Sequence, residues 1–160
     1  MYPFAKSNDH GDTDATGIVI VDHGSRLAES NLMLEEVARQ FSERFSGKYA
    51  IVEPAHMELA EPSIATAFAA CVRRGAKRVV VCPFFLGPGK HWNYDIPRIT
   101  AEAAAGFAGI AYHVAPTLGI DDLILDLLEK RASFCAENQY VCDLCRGTPR
   151  CGSECAEVGK

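Results

Sequence analysis

No segment of this 160-residue chain stays apolar for the roughly 20 residues that a membrane-spanning helix requires, so no span is expected and the chain reads as soluble. Positive charge is also scarce: 16 Lys and Arg stand against 21 Asp and Glu, for a net charge of −5. Without a basic stripe to neutralise phosphates, nucleic acid is a poor partner and small molecules are the expected ligands. The nucleotide motifs are missing too. A dinucleotide fingerprint needs three glycines after the first strand, where DHGSRLAES (residues 22–30) has one, and a phosphate loop needs glycine at the position of Phe84. HGSRL lacks the second glycine of a nucleophile elbow, so Ser25 reads as the cap of the following helix and not as a nucleophile. Residues 1–16 have no apolar core and three aspartates, which fits neither a signal nor a transit peptide. They are expected to form a flexible arm, or the stub left by processing. There is no internal repeat.

Cysteine is sparse where the chain is apolar and dense where it is not. Cys71 and Cys82 lie singly in apolar segments, while Cys135, Cys142, Cys145, Cys151 and Cys155 crowd the last 26 residues. An odd total and a body that needs no staples argue for a reducing compartment, with metal or cluster binding at the tail.

What is present is an alternation. Residues 17–22, 49–56, 78–86 and 109–115 are short, β-branched or aromatic-rich and nearly continuously apolar, as strands buried on both faces are. Helical patterns separate them: 25–45, with Leu27, Met33 or Leu34, Val37, Phe41 and Phe45 in phase; 62–74, with Pro62 in the first turn; 95–107; and 120–134. Strand–helix alternation implies right-handed crossovers. The expected fold is therefore a doubly wound α/β domain over residues 17–134, with a mainly parallel four-stranded sheet. Beyond it, residues 135–160 form a Cys-rich C-terminal extension with too little apolar content for a core of its own.

In such a sheet the carboxyl ends of all strands share one edge, where ligands bind. His23 ends the first strand, Glu58 follows the second and His91 follows the third, so two imidazoles and a carboxylate are delivered to one edge if those strands are neighbours. His56, at the end of the second strand, and His113, inside the fourth, read as structural, and His10 as a solvated arm residue. The glycines of GPGK (87–90) read as a flexible loop able to close over a flat ligand.

DHGSR, ELAEPSI, GAKRVVVCPFFLGPGKH and the following DIP, in this order, resemble the class II chelatases of tetrapyrrole biosynthesis, the sirohydrochlorin ferrochelatase and cobaltochelatase family. The likeness spans about residues 17 to 130. The cysteine tail is similar to that of the plant members, which work in the plastid and make sirohaem. The resemblance implies a chelatase-like fold, insertion of ferrous iron into sirohydrochlorin, and a chloroplast stroma location. It also implies roles: His23 and His91 bind the incoming divalent metal, with Glu58 nearby. Neutral imidazole holds such ions yet releases them to four macrocycle nitrogens. A histidine titrating near neutrality accepts an expelled pyrrole proton, and Glu58 holds charge or the second proton. Sirohydrochlorin is an octacarboxylate, so Arg26, Lys90 and Arg98 are candidates to dock it, and Trp92 to stack on the ring. The chain is about half the length of two-lobed members, which implies a homodimer.

Cys142, Cys145, Cys151 and Cys155 form C-x2-C-x5-C-x3-C, a spacing open to an iron–sulfur cluster, zinc or disulfides. The resemblance points to iron–sulfur, with 4Fe-4S favoured and 2Fe-2S as an oxidised alternative; Cys135 lies outside the quartet. Two other readings stand beside the ferrochelatase: a cobaltochelatase using the same residues, and a non-enzymatic iron–sulfur redox or metal-carrier module. A carrier has no reason to hold His23, Glu58 and His91 on one sheet edge.

Overall fold

A computed structural model describes residues 15–140 and residue 148. Four strands, β1 (Thr16–Asp22), β2 (Ile51–His56), β3 (Arg78–Pro83) and β4 (Ala111–Val114), form one all-parallel sheet in the order β2-β1-β3-β4. Helices α1 (Ala28–Arg44), α2 (Ile64–Arg73) and α3 (Ile96–Ala104) connect them, and α4 (Asp122–Glu137) follows β4. The chain divides into two compact units, one ending at Gly119 and one beginning at Ile120.

The alternation of side chains along β1 sorts the first unit into layers. Val19 and Val21 are fully buried with Phe68, Ile64 and Cys71 of α2 and Ile96 of α3. Ile18 and Ile20 instead join Leu34 and Ala38 of α1, with Phe41 packed alongside. Each buried Val, Ile or Phe stabilises the fold by about 1.5–3 kcal/mol, so these two clusters supply much of the driving force for the α/β/α sandwich. Gly17 is required here, because a Cβ would meet Cys71 Cβ at 2.8 Å.

Several local expectations shift. The packed stripe of α1 is Leu34, Ala38 and Phe41, and Leu27 and Met33 lie outside it, about 70% exposed. The helix opens at Ala28 after Leu27, and Ser25 sits two residues before Leu27, its Oγ accepting the Leu27 amide at 3.1 Å. Ser25 therefore closes a turn ahead of the helix and does not cap it. Pro62 also precedes its helix: Ser63 is the N-cap of α2, its hydroxyl accepting the Thr66 amide. β4 departs furthest. Ala111, Tyr112 and His113 are exposed and only Val114, aligned with Val81, reaches the core. An edge strand has one neighbour, so apolar character does not guarantee burial on both faces. His113 is accordingly a surface histidine.

In the second unit, Asp121 caps α4 by accepting the Leu123 amide at 2.9 Å, and Leu123, Ile124, Leu127, Leu128 and Phe134 recur at helical spacing. Cys135 on this helix is a free, exposed thiol. Among the described residues no helix is long and apolar enough to cross a membrane. The arm up to residue 14 and the quartet Cys142, Cys145, Cys151 and Cys155 lie outside the described residues.

Candidate active site at the strand ends

The crossovers make β1 the switch point of the sheet. β1 leads through α1 to β2 on one side, and β2 returns through α2 to β3 on the other. The loops after β2, β1 and β3 therefore sit side by side, and these are the loops that carry Glu58, His23 and His91. His23 Nε2 lies 3.2 Å from Glu58 Oε1, and the His23 and His91 rings meet edge to face with centroids 5.0 Å apart. The two imidazoles and the carboxylate are each about half exposed, open to a ligand from solvent.

Backbone contacts lace the first two loops together. Met57 donates to the Asp22 carbonyl at 2.9 Å and Glu58 to the His23 carbonyl at 3.2 Å. Asp22 turns inward, where its Oδ1 accepts the Gly24 amide at 2.9 Å and meets Nδ1 of the fully buried His56 at 2.6 Å. With the ionised carboxylate as acceptor, His56 carries its proton on Nδ1. Its Nε2 is buried without a partner among the described residues. Gly24 has φ +83°, and a Cβ there would fall 1.9 Å from the Glu58 carbonyl oxygen. The same carbonyl accepts the Ala60 amide at 2.9 Å across Leu59, whose φ is 67°. A leucine held at positive φ is strained by on the order of 1–3 kcal/mol, and the carbonyl fixed by this turn is the one that Gly24 approaches.

His91 opens a π-helical turn, His91–Asp95, that runs directly into α3. One-turn π segments are frequent at functional sites because they displace side chains from the regular helical phase. Here the turn brings His91 Nδ1 within 2.9 Å of Asp95 Oδ2. Trp92 Nε1 donates to the Ala115 carbonyl at 3.0 Å, tying the turn to the loop after β4, and Asn93 binds the Gly89 carbonyl. A Cβ added at Gly87 or Gly89 would meet nothing within 4 Å, and neither residue has a positive φ, so the backbone does not require glycine there.

Of the candidate docking cations, Arg26 and Lys90 are exposed and, among the described residues, have no ion-pair partner; Arg98 is paired with Glu102 at 2.7 Å along α3. Only one guanidinium nitrogen of Arg98 is engaged by Glu102, so further N–H donors of the group are left for another anion. Among the described residues no group of three or more His, Cys, Asp or Glu is gathered closely enough to hold a metal ion. The arrangement offers contacts in pairs, a carboxylate on one imidazole and a second imidazole beside it. Asp22, Gly24 and Asp95 take part without having been named as site residues from sequence, and His56, read there as structural, is the buried partner of Asp22. The clue available was the Gly after His23, the residue type needed where a chain turns with positive φ against another backbone.

A family model described as CbiX matches residues 17–134. The chain belongs to the CbiX family. Among similar proteins, the chloroplastic sirohydrochlorin ferrochelatase of Arabidopsis thaliana is 54% identical over 146 residues, covering 89% of this chain and 64% of that protein. A sirohydrochlorin cobaltochelatase of Methanococcus maripaludis is 44% identical over 82 residues, 51% of this chain and 56% of that one. This CbiX chain thus spans less than two thirds of the length of either relative. The crystal structure of the sirohydrochlorin chelatase SirB from Bacillus subtilis subspecies spizizenii in complex with cobalt superimposes with a TM-score of 0.63 at 31% identity, covering 74% of this chain and 50% of that one. SirB from Bacillus subtilis with Fe3+ gives a TM-score of 0.68 at 28% identity, over 72% and 45%.

Proposed function

We propose that this CbiX chain inserts ferrous iron into sirohydrochlorin to form sirohaem. The observation that carries the reading is the convergence of His23, Glu58 and His91 from three adjacent strand ends, with the 3.2 Å and 5.0 Å separations above. The similarity to the Arabidopsis ferrochelatase supports the choice of reaction.

Insertion is ligand exchange coupled to loss of two protons, and each chain residue has a part in it. His91 and His23 receive the divalent ion as substrate through imidazole nitrogen, a donor suited to ferrous and cobaltous ions. Two imidazoles hold it weakly enough to surrender it to four macrocycle nitrogens. The expelled pyrrole protons pass to an imidazole once it has released the metal and to the Glu58 carboxylate beside His23. Exposed Arg26 and Lys90, with the guanidinium donors of Arg98 that Glu102 does not engage, meet the substrate carboxylates, and Trp92 offers an indole face held by the Ala115 carbonyl. A second copy of the chain completes a cleft wide enough for the macrocycle, and the working location is the chloroplast stroma. The four tail thiolates would bind an iron–sulfur cluster, 4Fe-4S in preference to 2Fe-2S, with no step of insertion passing through it.

A cobaltochelatase is the second reading, favoured by the Methanococcus maripaludis relative. Anaerobic absorbance assays of sirohydrochlorin with Fe2+ and with Co2+ separate the two. Faster turnover with Fe2+ supports the ferrochelatase; turnover with Co2+ alone gives the second reading, and no turnover with either refutes both.

A further inference from the structure

The two imidazoles of the site are held differently, and the difference rests on a residue without an assigned part in the reaction. His23 meets Glu58 through Nε2, whereas His91 meets Asp95 through Nδ1 at 2.9 Å. An ionised carboxylate only accepts hydrogen bonds, so Asp95 requires the proton of a neutral His91 on Nδ1. Nε2 then keeps the ring's lone pair, in an imidazole whose centroid stands 5.0 Å from His23. Asp95 is itself well fixed. It ends the π-helical turn closed by the Ile96 amide on the His91 carbonyl, and the next residue, Ile96, is fully buried at the start of α3.

We infer that Asp95 is a positioning residue for His91, selecting the ring tautomer that presents Nε2 to the incoming divalent cation. A metal-binding imidazole whose other nitrogen donates to a carboxylate is oriented before the ion arrives and binds it more strongly; loss of such a partner lowers affinity by about 10- to 100-fold. The inference rests on the reading of His91 as a metal contact. It adds a division of labour: His91 is set to receive the cation, while His23 starts with its Nε2 engaged by Glu58.

The test uses the full chain with Cys142, Cys145, Cys151 and Cys155 replaced by Ser in every arm, so that tail thiolates do not compete for metal. Long-range 1H–15N correlation of the His91 ring, well above the ordinary histidine range, reads the tautomer, and titration with Co2+ alone reads affinity through its visible absorption. The expected result is an Nδ1–H ring in the parent protein and a mixture rich in Nε2–H in Asp95→Ala, with Co2+ affinity lowered about 10- to 100-fold. Asp95→Asn, whose amide oxygen still accepts the Nδ1 proton, should recover most of both. An Nε2–H ring in the parent protein overturns the inference without any variant. So does a folded Asp95→Ala with tautomer and affinity unchanged while His91→Ala loses Co2+, an outcome that leaves the reading of His91 standing. Undiminished Co2+ binding by His91→Ala refutes that reading, and the inference with it.

Discussion

Replacing Gly24 by alanine tests whether the contact between the His23 turn and the Glu58 loop sets both stability and activity. At φ +83° an alanine pays the left-handed penalty of about 1–2 kcal/mol. Its Cβ would lie 1.9 Å from the Glu58 carbonyl oxygen, where real contacts do not fall below 3.0 Å, so the loop must retreat by at least 3.0 − 1.9 = 1.1 Å. Overpacking of that kind costs about 1–3 kcal/mol, giving roughly 2–5 kcal/mol in all. A domain of this size has about 5–15 kcal/mol of stability, so Gly24→Ala should stay folded with its melting temperature lowered by roughly 4 to 20 °C. The same retreat draws Glu58 from His23, and a misplacement of about 1 Å can lower a rate about 100-fold. Gly89→Ala is the control: with ordinary φ and nothing within 4 Å, it should leave stability unchanged or raise it slightly. Thermal melting and initial rates of Fe2+ insertion make the comparison. A Gly24→Ala protein that melts within about 2 °C of the parent and turns over at the parent rate would refute the steric argument.

His23→Ala and His91→Ala should each lower insertion about 100-fold or more while circular dichroism and melting stay near those of the parent; parental rates in both would remove them from the mechanism. Changing Cys142, Cys145, Cys151 and Cys155 together to Ser should keep the rate within a few-fold, about 1 kcal/mol or less on the barrier, because insertion transfers no electrons; a loss of several hundred-fold in folded protein would place the tail in the reaction. His56→Ala strips the buried side of Asp22 of its partner and should destabilise the fold by about 2–4 kcal/mol, read by urea unfolding. Burial pushes the Cys71 thiol from 9.0 up to about 12, so the unfolded chain loses this proton first. The contribution is whole below about pH 9 and falls away as pH rises towards 12, a decline that Cys71→Ala should flatten.

The sequence by itself determined the local structure and the chemistry available. β-branched runs ending in His, Glu-bearing and Gly-rich loops specify strands, their turns and the residue types at the strand ends, because side-chain periodicity and turn chemistry act over a few neighbours. A mainly parallel sheet followed from alternation, and the structure makes every pairing parallel; His23, Glu58 and His91 were legible as candidates from their positions alone. Tertiary structure decided what those candidates touch. The order β2-β1-β3 makes the three loops adjacent, and crossovers of tens of residues settle it. No local pattern signals that Asp22 will meet His56, 34 positions away, or that Trp92 will reach the Ala115 carbonyl. The exposure of β4 is likewise a property of its place at the sheet edge. Residue types are chosen one position at a time, whereas distances between them arise only when the whole sheet closes on its cores and distant segments become neighbours.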